Sequence, residues 1–328
     1  MASLKDIALE AGVSVATVST VLSGKADSVG IRQQTRKEVR RVAEELGYRP
    51  NLAARGLRTK RSYALGILLY NPRELIYSDL VAEIQALLPA QGYAGICSFW
   101  QTMDDARNAF RVVLDRGVDG LITCHDDLTL IPKGMPAVLF QNRHPDYDSV
   151  YRDAEPAMRR AVNYLLDLGH SRLGCLNVDR VKHEKTILSV LRKRGVSTAP
   201  FWTRTVQGLP ADQGRCMEDI LALPAAKRPT ALICRNDTAA MYGMSVAGQH
   251  GIRVPQDMSF IGFDDVSMGT ISNPPLTTLG VPADELANHL VDLMVRRLKT
   301  PDAPRRELAL EQRLVVRHSC APPNLRKS

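Results

Sequence analysis

The sequence predicts a small all-α head joined through a short linker to a larger α/β body whose parallel sheets form two lobes. Two observations predict this. Apolar residues in the first fifty positions recur in three short stripes at helical spacing. From residue 62 onward, short apolar runs alternate with amphipathic stretches, the pattern of strands in sheets covered on both faces.

The head reads in order. Leu4, Ile7, Ala8 and Ala11 make the first stripe, Val18, Val21 and Leu22 the second, and Val39, Val42, Ala43 and Leu46 the third. "AGVS" at 11–14 separates the first two, with Gly12 in the turn. Ser14 is placed to cap the second helix, because its hydroxyl can accept an orphan backbone N–H. Two helices joined by so short a glycine-containing turn make a helix-turn-helix. Gly47 can end the third helix, and Pro50 can open a new segment. "LAARGLRTKR" then reads as a basic linker with helical potential. The expected divisions are 1–49 for the head, 50–61 for the linker, 62–321 for the body and 322–328 for a frayed tail.

In the body, "YALGILLY", "YAGICSF", "DGLITC", "AVLFQ", "RLGCLNV", "TALICR" and "SFIGFDD" are strand candidates, and 78–91, 104–116, 156–168 and 237–250 are helix candidates. These are too many units for one small sheet. Ligands of open α/β sheets bind beyond the carboxyl ends of the strands. Those ends place Tyr70, Phe99, Trp100, His125, Gln141, Asp179, Asn236 and Asp264 as lining candidates.

Of 328 residues, 45% are hydrophobic and 24% charged, an ordinary globular balance. No apolar run reaches membrane-spanning length, and "MASLKDIALEAG" lacks the order of a signal peptide, so a soluble cytoplasmic chain is expected. The six cysteines form no CxxC pair and are expected as small core residues. Residues 1–61 hold twelve Lys/Arg against six Asp/Glu, whereas the other 267 hold thirty-one against twenty-nine. A basic head on a nearly neutral body suggests a polyanion at one end.

The second helix sharpens this reading. Opposite its apolar stripe stand Ala16, Thr17, Ser19 and Thr20, small and uncharged, where a solvated face would carry Lys or Glu. Such a face suits close approach to another surface. In a major groove, Thr and Ser can bond base edges or phosphates, and Ala and Val methyls can meet the thymine methyl. A protein-docking face is the alternative.

"LKDIALEAGVSVATVSTVLSG", "TRKEVRRVAEELGYRPNLAARGLRT", "GIRVPQDMSFIGFDD", "PPLTTLGVP", "LGH" at 168–170 and "ND" at 236–237 resemble the LacI/GalR family of bacterial transcription regulators, along essentially the whole chain. The resemblance implies a homodimer with two helix-turn-helix heads on a pseudo-palindromic operator. It also implies a body of the type I periplasmic-binding-protein fold that senses a small molecule, with carbohydrate-related effectors favoured. By matching positions, Val15, Ala16 and Thr20 would read bases, and Ser14, Thr17 and Ser19 would face phosphates. Lys5 and Asn51 would anchor the head. In the hinge, Leu57 would wedge into the central minor-groove step, flanked by Ala54 and Arg55. Unstacking costs a few kcal/mol, offset by the contacts that bending brings. So short a helix is marginal alone, so the hinge is expected to fold when two copies meet on DNA.

The resemblance also implies that Asn236 and Asp264 contact the effector, since an amide and a carboxylate suit vicinal hydroxyls. Two family positions depart. His183 stands where an arginine is usual, and Gln141 where an aspartate is usual, so both charged sugar ligands are gone. A sugar held by His183 and stacked on Trp100 remains one reading; a phosphorylated, amino or non-sugar ligand, or loss of ligand binding, are others. In the head, Arg32 replaces a common Ser cap before the third helix, and 24–36 is longer than the usual spacing. Gly56 weakens the hinge helix by about 1 kcal/mol relative to Ala.

Enzymatic chemistry is not expected. The adjacent acids at 104/105, 126/127 and 264/265 would point to opposite faces of an extended strand, and so would not flank one bond. No GxSxG, P-loop or GxGxxG motif is present, the seven histidines lack HxxxH spacing, and no cofactor or metal is implied. The rival reading is a cytoplasmic solute-binding or sensory module whose basic head docks a protein.

Overall fold

The computed structural model describes residues 2–22, 29–48, 59, 61–176, 183–196, 202–204 and 210–324. It divides into two compact units, residues 1–62 and 63–328.

In the first unit, α1 (Leu4–Glu10) begins with a capping box: Ser3 Oγ accepts from Asp6 N–H (3.3 Å), while Asp6 Oδ2 accepts from Ser3 N–H (2.7 Å). Gly12, at φ 62°, makes the turn into α2 (Val15–Leu22) in a region that costs glycine nothing. Ser14 Oγ accepts from Thr17 N–H (3.1 Å), the cap expected of it. The third described helix, α3 (Gln33–Glu45), has no side-chain cap at Arg32; instead Arg36 Nε donates to the Ile31 carbonyl (2.6 Å), one turn inside the helix. Gly47 (φ 59°) closes α3, with Tyr48 N–H donating to the Ala43 carbonyl (2.8 Å). Ile7, Ala8, Val18, Val21, Val39, Val42 and Ala43 form the core. Leu46, expected in that stripe, is instead 40% exposed, because the helix has ended and the chain turns away.

The second unit holds two six-stranded sheets. Lobe 1 contains β1 (Ala64–Tyr70), β2 (Ala94–Trp100), β3 (Gly120–Thr123), β4 (Ala137–Phe140), β5 (Asp148–Asp153) and β11 (Glu307–Glu311), ordered β11-β5-β4-β3-β1-β2 and parallel throughout. Lobe 2 contains β6 (Leu173–Leu176), β7 (Trp202–Arg204), β8 (Ala231–Cys234), β9 (Ser259–Asp264), β10 (Thr277–Gly280) and β12 (Arg313–Val315), ordered β12-β10-β9-β8-β6-β7. Only the β10–β12 pair is antiparallel among these.

Alternating residues send side chains to opposite faces, so each sheet buries two layers. In lobe 1, Leu65, Ile67 and Leu69 pack on α4 (Leu75–Leu87) and α11 (Ala283–Lys299), whereas Leu68 and Leu121 face α5 (Met103–Leu114). In lobe 2, Cys175 and Ile233 pack on α6 (Ala154–Asp167) and α7 (His183–Lys193). Leu176 and Leu232 face α8 (Pro210–Leu221) and α9 (Asp237–Gln249). A short α10 (Ser267–Ile271) follows β9.

The chain passes between the lobes three times: from β5 directly into α6, from β10 into α11, and through Gln312 between β11 and β12. Each lobe is therefore assembled from distant segments. Among the described residues, no helix is long and apolar enough to cross a membrane. Cys124, Cys175, Cys216 and Cys234 are buried, as expected of core residues, while Cys97 and Cys320 are partly buried and all six are free thiols.

Candidate functional site

The exposed face of α2 carries the small residues noted in the sequence. Val15 is 41% exposed, Ala16 is exposed, and Thr17, Ser19 and Thr20 are partly covered, while Val18 and Val21 lie in the core. Two hydroxyls of this face are oriented by the helix itself. Thr20 Oγ1 donates to the Ala16 carbonyl (2.8 Å), and Ser14 Oγ lies 2.9 Å from Thr17 Oγ1. Lys5 is exposed on α1. Asn51, Ala54, Arg55, Leu57 and Asp179 lie outside the described residues, and for His183 only the backbone, opening α7, is described.

In the second unit the predicted strand-end residues form two groups, one at the carboxyl ends of lobe 1 strands and one where strand ends of the two lobes meet. The first is aromatic. Pairing of β1 with β2 sets Tyr70 beside Trp100, whose ring centroids are 4.8 Å apart. Trp100 meets His125 edge-on at 4.4 Å. His125 Nδ1 accepts from Asp127 N–H (2.9 Å), which places the ring proton on Nε2. Among the described residues, buried His125 Nε2 and Trp100 Nε1 have no hydrogen-bond partner, so two neighbouring rings each carry an unused N–H donor.

The second group is polar and bridges the lobes. Arg152 on β5 reaches Asp264 at the end of β9, Nη1 to Oδ1 at 2.7 Å, with side chains only 11% and 9% exposed. Gln141, at φ 70°, turns back toward this pair. With its amide oxygen facing the guanidinium it accepts from Arg152 Nη2 (2.5 Å) and Nε (2.6 Å). Asn236 caps α9, its Oδ1 accepting from Ala239 N–H (2.8 Å), while its Nδ2 donates to Glu74 Oε2 of lobe 1 (2.5 Å). Asp79 on α4 accepts from Ser267 N–H (2.8 Å) and Oγ (3.1 Å), a third link across the lobes.

Tyr77 and Phe140 join the two groups. Tyr77 lies 6.1 Å from Tyr70 and 6.5 Å from Phe140, and Arg152 Cζ sits 5.8 Å over the Phe140 ring.

The electrostatics follow from burial. Burial pushes the Asp264 carboxyl up, against the opposing pull of Arg152. Glu74 is likewise raised by burial, with Arg235 opposing. Asp237, beneath Asp264, is pushed up to about 7, first by burial and then by the Asp264 charge, although Thr278 Oγ1 and Val266 N–H (2.8 Å) both donate to it.

The adjacent acids divide as follows. Asp264 pairs with Arg152, and Asp265, one residue past β9, pairs with Arg317 (2.6 Å); both backbones have positive φ (130° and 59°), so the two carboxylates are parted by a turn at the strand end and not by the extended-strand alternation expected there. Asp104 and Asp105, by contrast, lie on a helix: Asp105 completes the capping box with Thr102, and Asp104 pairs with Arg107 (2.9 Å). Asp127 caps a single 3-10 turn. No group of three or more His, Cys, Asp or Glu side chains that could hold a metal ion occurs among the described residues.

The sequence reading missed Glu74, Tyr77, Arg152 and Arg235. Arg152 stands on β5, a segment not read as a strand, and Tyr77 lies in α4, so a rule that inspects the ends of recognised strands passes over both.

Comparison with known proteins adds the class. Residues 3–51 match the model of bacterial regulatory proteins of the lacI family, and residues 162–320 match that of a periplasmic binding protein-like domain. The chain is 28% identical to an HTH-type transcriptional repressor PurR of Aliivibrio fischeri (strain MJ11), over 97% of this chain and 98% of the relative. It is also 28% identical to the repressor of the same name from Vibrio parahaemolyticus, over 97% of this chain and 98% of that one. A lac repressor dimer solved with operator and the anti-inducer ONPF superposes at a TM-score of 0.77, with 25% identity over 98% of this chain and 99% of that chain. The chain belongs to the lacI family of bacterial regulatory proteins. It combines a DNA-binding helix-turn-helix head with a periplasmic-binding-protein-like body, as the resemblance implied.

Proposed function

We propose that this chain acts in the bacterial cytoplasm, at the nucleoid, as a homodimeric repressor that binds a pseudo-palindromic operator and responds to a small carbohydrate-related effector. In this reading α2 enters the major groove, with Val15, Ala16 and Thr20 against base edges and Ser14, Thr17, Ser19 and Lys5 toward phosphates. Residues 50–61 form the hinge, where Leu57, flanked by Ala54 and Arg55, wedges the minor groove and Asn51 anchors the head. The effector lies between the lobes among Tyr70, Trp100, His125, Gln141, His183, Asn236 and Asp264. The protein catalyses no reaction.

The observation that carries this reading is the capped α2, which presents a small, uncharged, partly exposed face on a basic unit. A solvated helix has no use for such a face, whereas a groove-filling helix requires it. The two-lobed body supplies a two-state element, because the polar bridges between its lobes, and the packing of Val266 and Met241 of lobe 2 on the lobe 1 core, are contacts that opening can break.

Selection of bound sites from random duplex DNA at moderate salt, with the full-length protein, tests the proposal. The expected winners are palindromes with a central pyrimidine–purine step, bound with an affinity that falls steeply with salt as phosphate contacts release counterions. Absence of enrichment, with and without candidate sugars, would overturn it in favour of a head that docks protein.

A further inference from the structure

Arg152 belongs to lobe 1 but ends on a carboxylate of lobe 2. Its guanidinium is used on all sides: Nε and Nη2 face Gln141, and Nη1 faces Asp264. The positive φ of Gln141 turns that side chain back onto the arginine, so the guanidinium stays held on lobe 1 when the lobes part. Asp264 is the carboxylate that the cleft reading assigns to ligand hydroxyls, and here the chain's own cation occupies it.

This pairing restricts what can enter. A neutral polyol that took Asp264 would leave a guanidinium without an anion in a site where both partners are about nine-tenths buried, a costly exchange. A ligand that brings its own carboxylate avoids this cost. Its carboxylate takes the Nη edge of Arg152 in the fork geometry that guanidinium favours, and its hydroxyls donate to Asp264. Arg235 adds a second positive charge acting on both Asp264 and Glu74.

We propose that Arg152 is the specificity-determining residue of the cleft and selects a hydroxy acid, a sugar acid in chemical class, over the corresponding neutral sugar. The inference rests on the effector reading of the cleft.

The test uses the full-length protein with D-gluconate, D-galactonate and D-glucuronate against D-glucose and D-galactose at matched ionic strength, read by calorimetry and thermal shift. At least one acid is expected to bind roughly tenfold or more tighter than its neutral counterpart. Arg152→Gln is expected to abolish that preference, and Arg152→Lys to retain part of it, since Lys keeps the charge but not the fork. The comparison of acid with neutral sugar on the unsubstituted protein decides even if Arg152→Gln fails to fold. Equal affinity for acid and neutral sugar, a preference that survives Arg152→Gln, or binding of none of the acids would each overturn the proposal. Operator selection reports separately: a protein that binds an acid but enriches no DNA keeps this inference and loses the repressor reading. One that enriches a palindrome and is released by a neutral sugar does the reverse.

Discussion

His170 illustrates how a residue in a family-like motif can be wholly structural. Its Nδ1 lies 2.8 Å from Thr230 Oγ1 and its Nε2 2.9 Å from the Ala321 carbonyl, so the ring ties the end of α6 to β8 and to the C-terminal segment. Burial lowers its pKa, against the opposing bond to Ala321. The unfolded chain therefore binds the proton more readily, and this contribution to stability is full above pH about 6.5 and is lost as pH falls through the lowered folded value. The melting temperature is expected to drop between about pH 7.5 and about 5.5. His170→Asn should melt lower at neutral pH and show a shallower drop; a drop as steep as the parent's would remove His170 as its source. Ser14 gives a second expectation at this scale. Ser14→Ala removes the cap of α2 and should cost the head about 1 kcal/mol in denaturant unfolding, while weakening operator binding.

Among elements, the close approach of α9 to β9 depends on a missing side chain. A Cβ at Gly262 would run into Asp237 Oδ1 and come within 2.8 Å of Leu276 Cδ2. Both neighbours are buried and one is a carboxylate already accepting two hydrogen bonds, so neither can yield cheaply. Gly262→Ala should destabilise lobe 2 by about 1–3 kcal/mol, read by urea denaturation. The hinge makes a different kind of prediction. If Leu57 is the proposed minor-groove wedge, Leu57→Ala should lower operator affinity and leave the sedimentation behaviour of the free protein unchanged, because such a wedge acts only on DNA. Equal affinity of parent and variant for a centrally CG-stepped site would remove that role. At this scale much was legible in advance: the three head stripes except for Leu46, Ser14 as a cap, and seven strands stand where periodicity placed them. Strands β5, β7, β10, β11 and β12 and helices α7, α8, α10 and α11 were not among the segments named in advance. β11 has only three apolar residues between two glutamates and alternates exposed with half-buried positions, and β7 and β12 have three residues each, so none of these edge strands shows the longer apolar run of a buried parallel strand.

For the whole molecule, the decisive contacts join segments far apart in the chain. Asp148 is fully buried on β5, accepting from Arg297 Nε of α11 (2.8 Å) and from Arg306 N–H (2.7 Å). It thereby fastens α11 and the return strand β11 to a strand that lies 149 and 158 residues before the two partners. Asp148→Asn leaves the Arg297 charge uncompensated and should cost about 3–5 kcal/mol in urea unfolding, with an unchanged dependence on denaturant if the fold survives. A loss below about 1 kcal/mol would mean that the pair holds nothing that neutral hydrogen bonds cannot.

By itself, the sequence determined the class of each unit, most of the core of the head, the small face of α2 and most of the strand ends proposed to line the cleft. It could do so because helical and strand periodicity are local: they depend on residues within one or two turns, or on neighbours along one strand. Only the tertiary structure decided that Gln141, Arg152 and Asp264 meet, that Asn236 reaches Glu74, and that helices α6 and α11 each follow a strand of one lobe but pack in the other. Those outcomes depend on how two sheets, each built from separated stretches of chain, are set against one another. No local pattern encodes that placement, because the pairing of a guanidinium with a carboxylate 112 residues later exists only once both lobes are built.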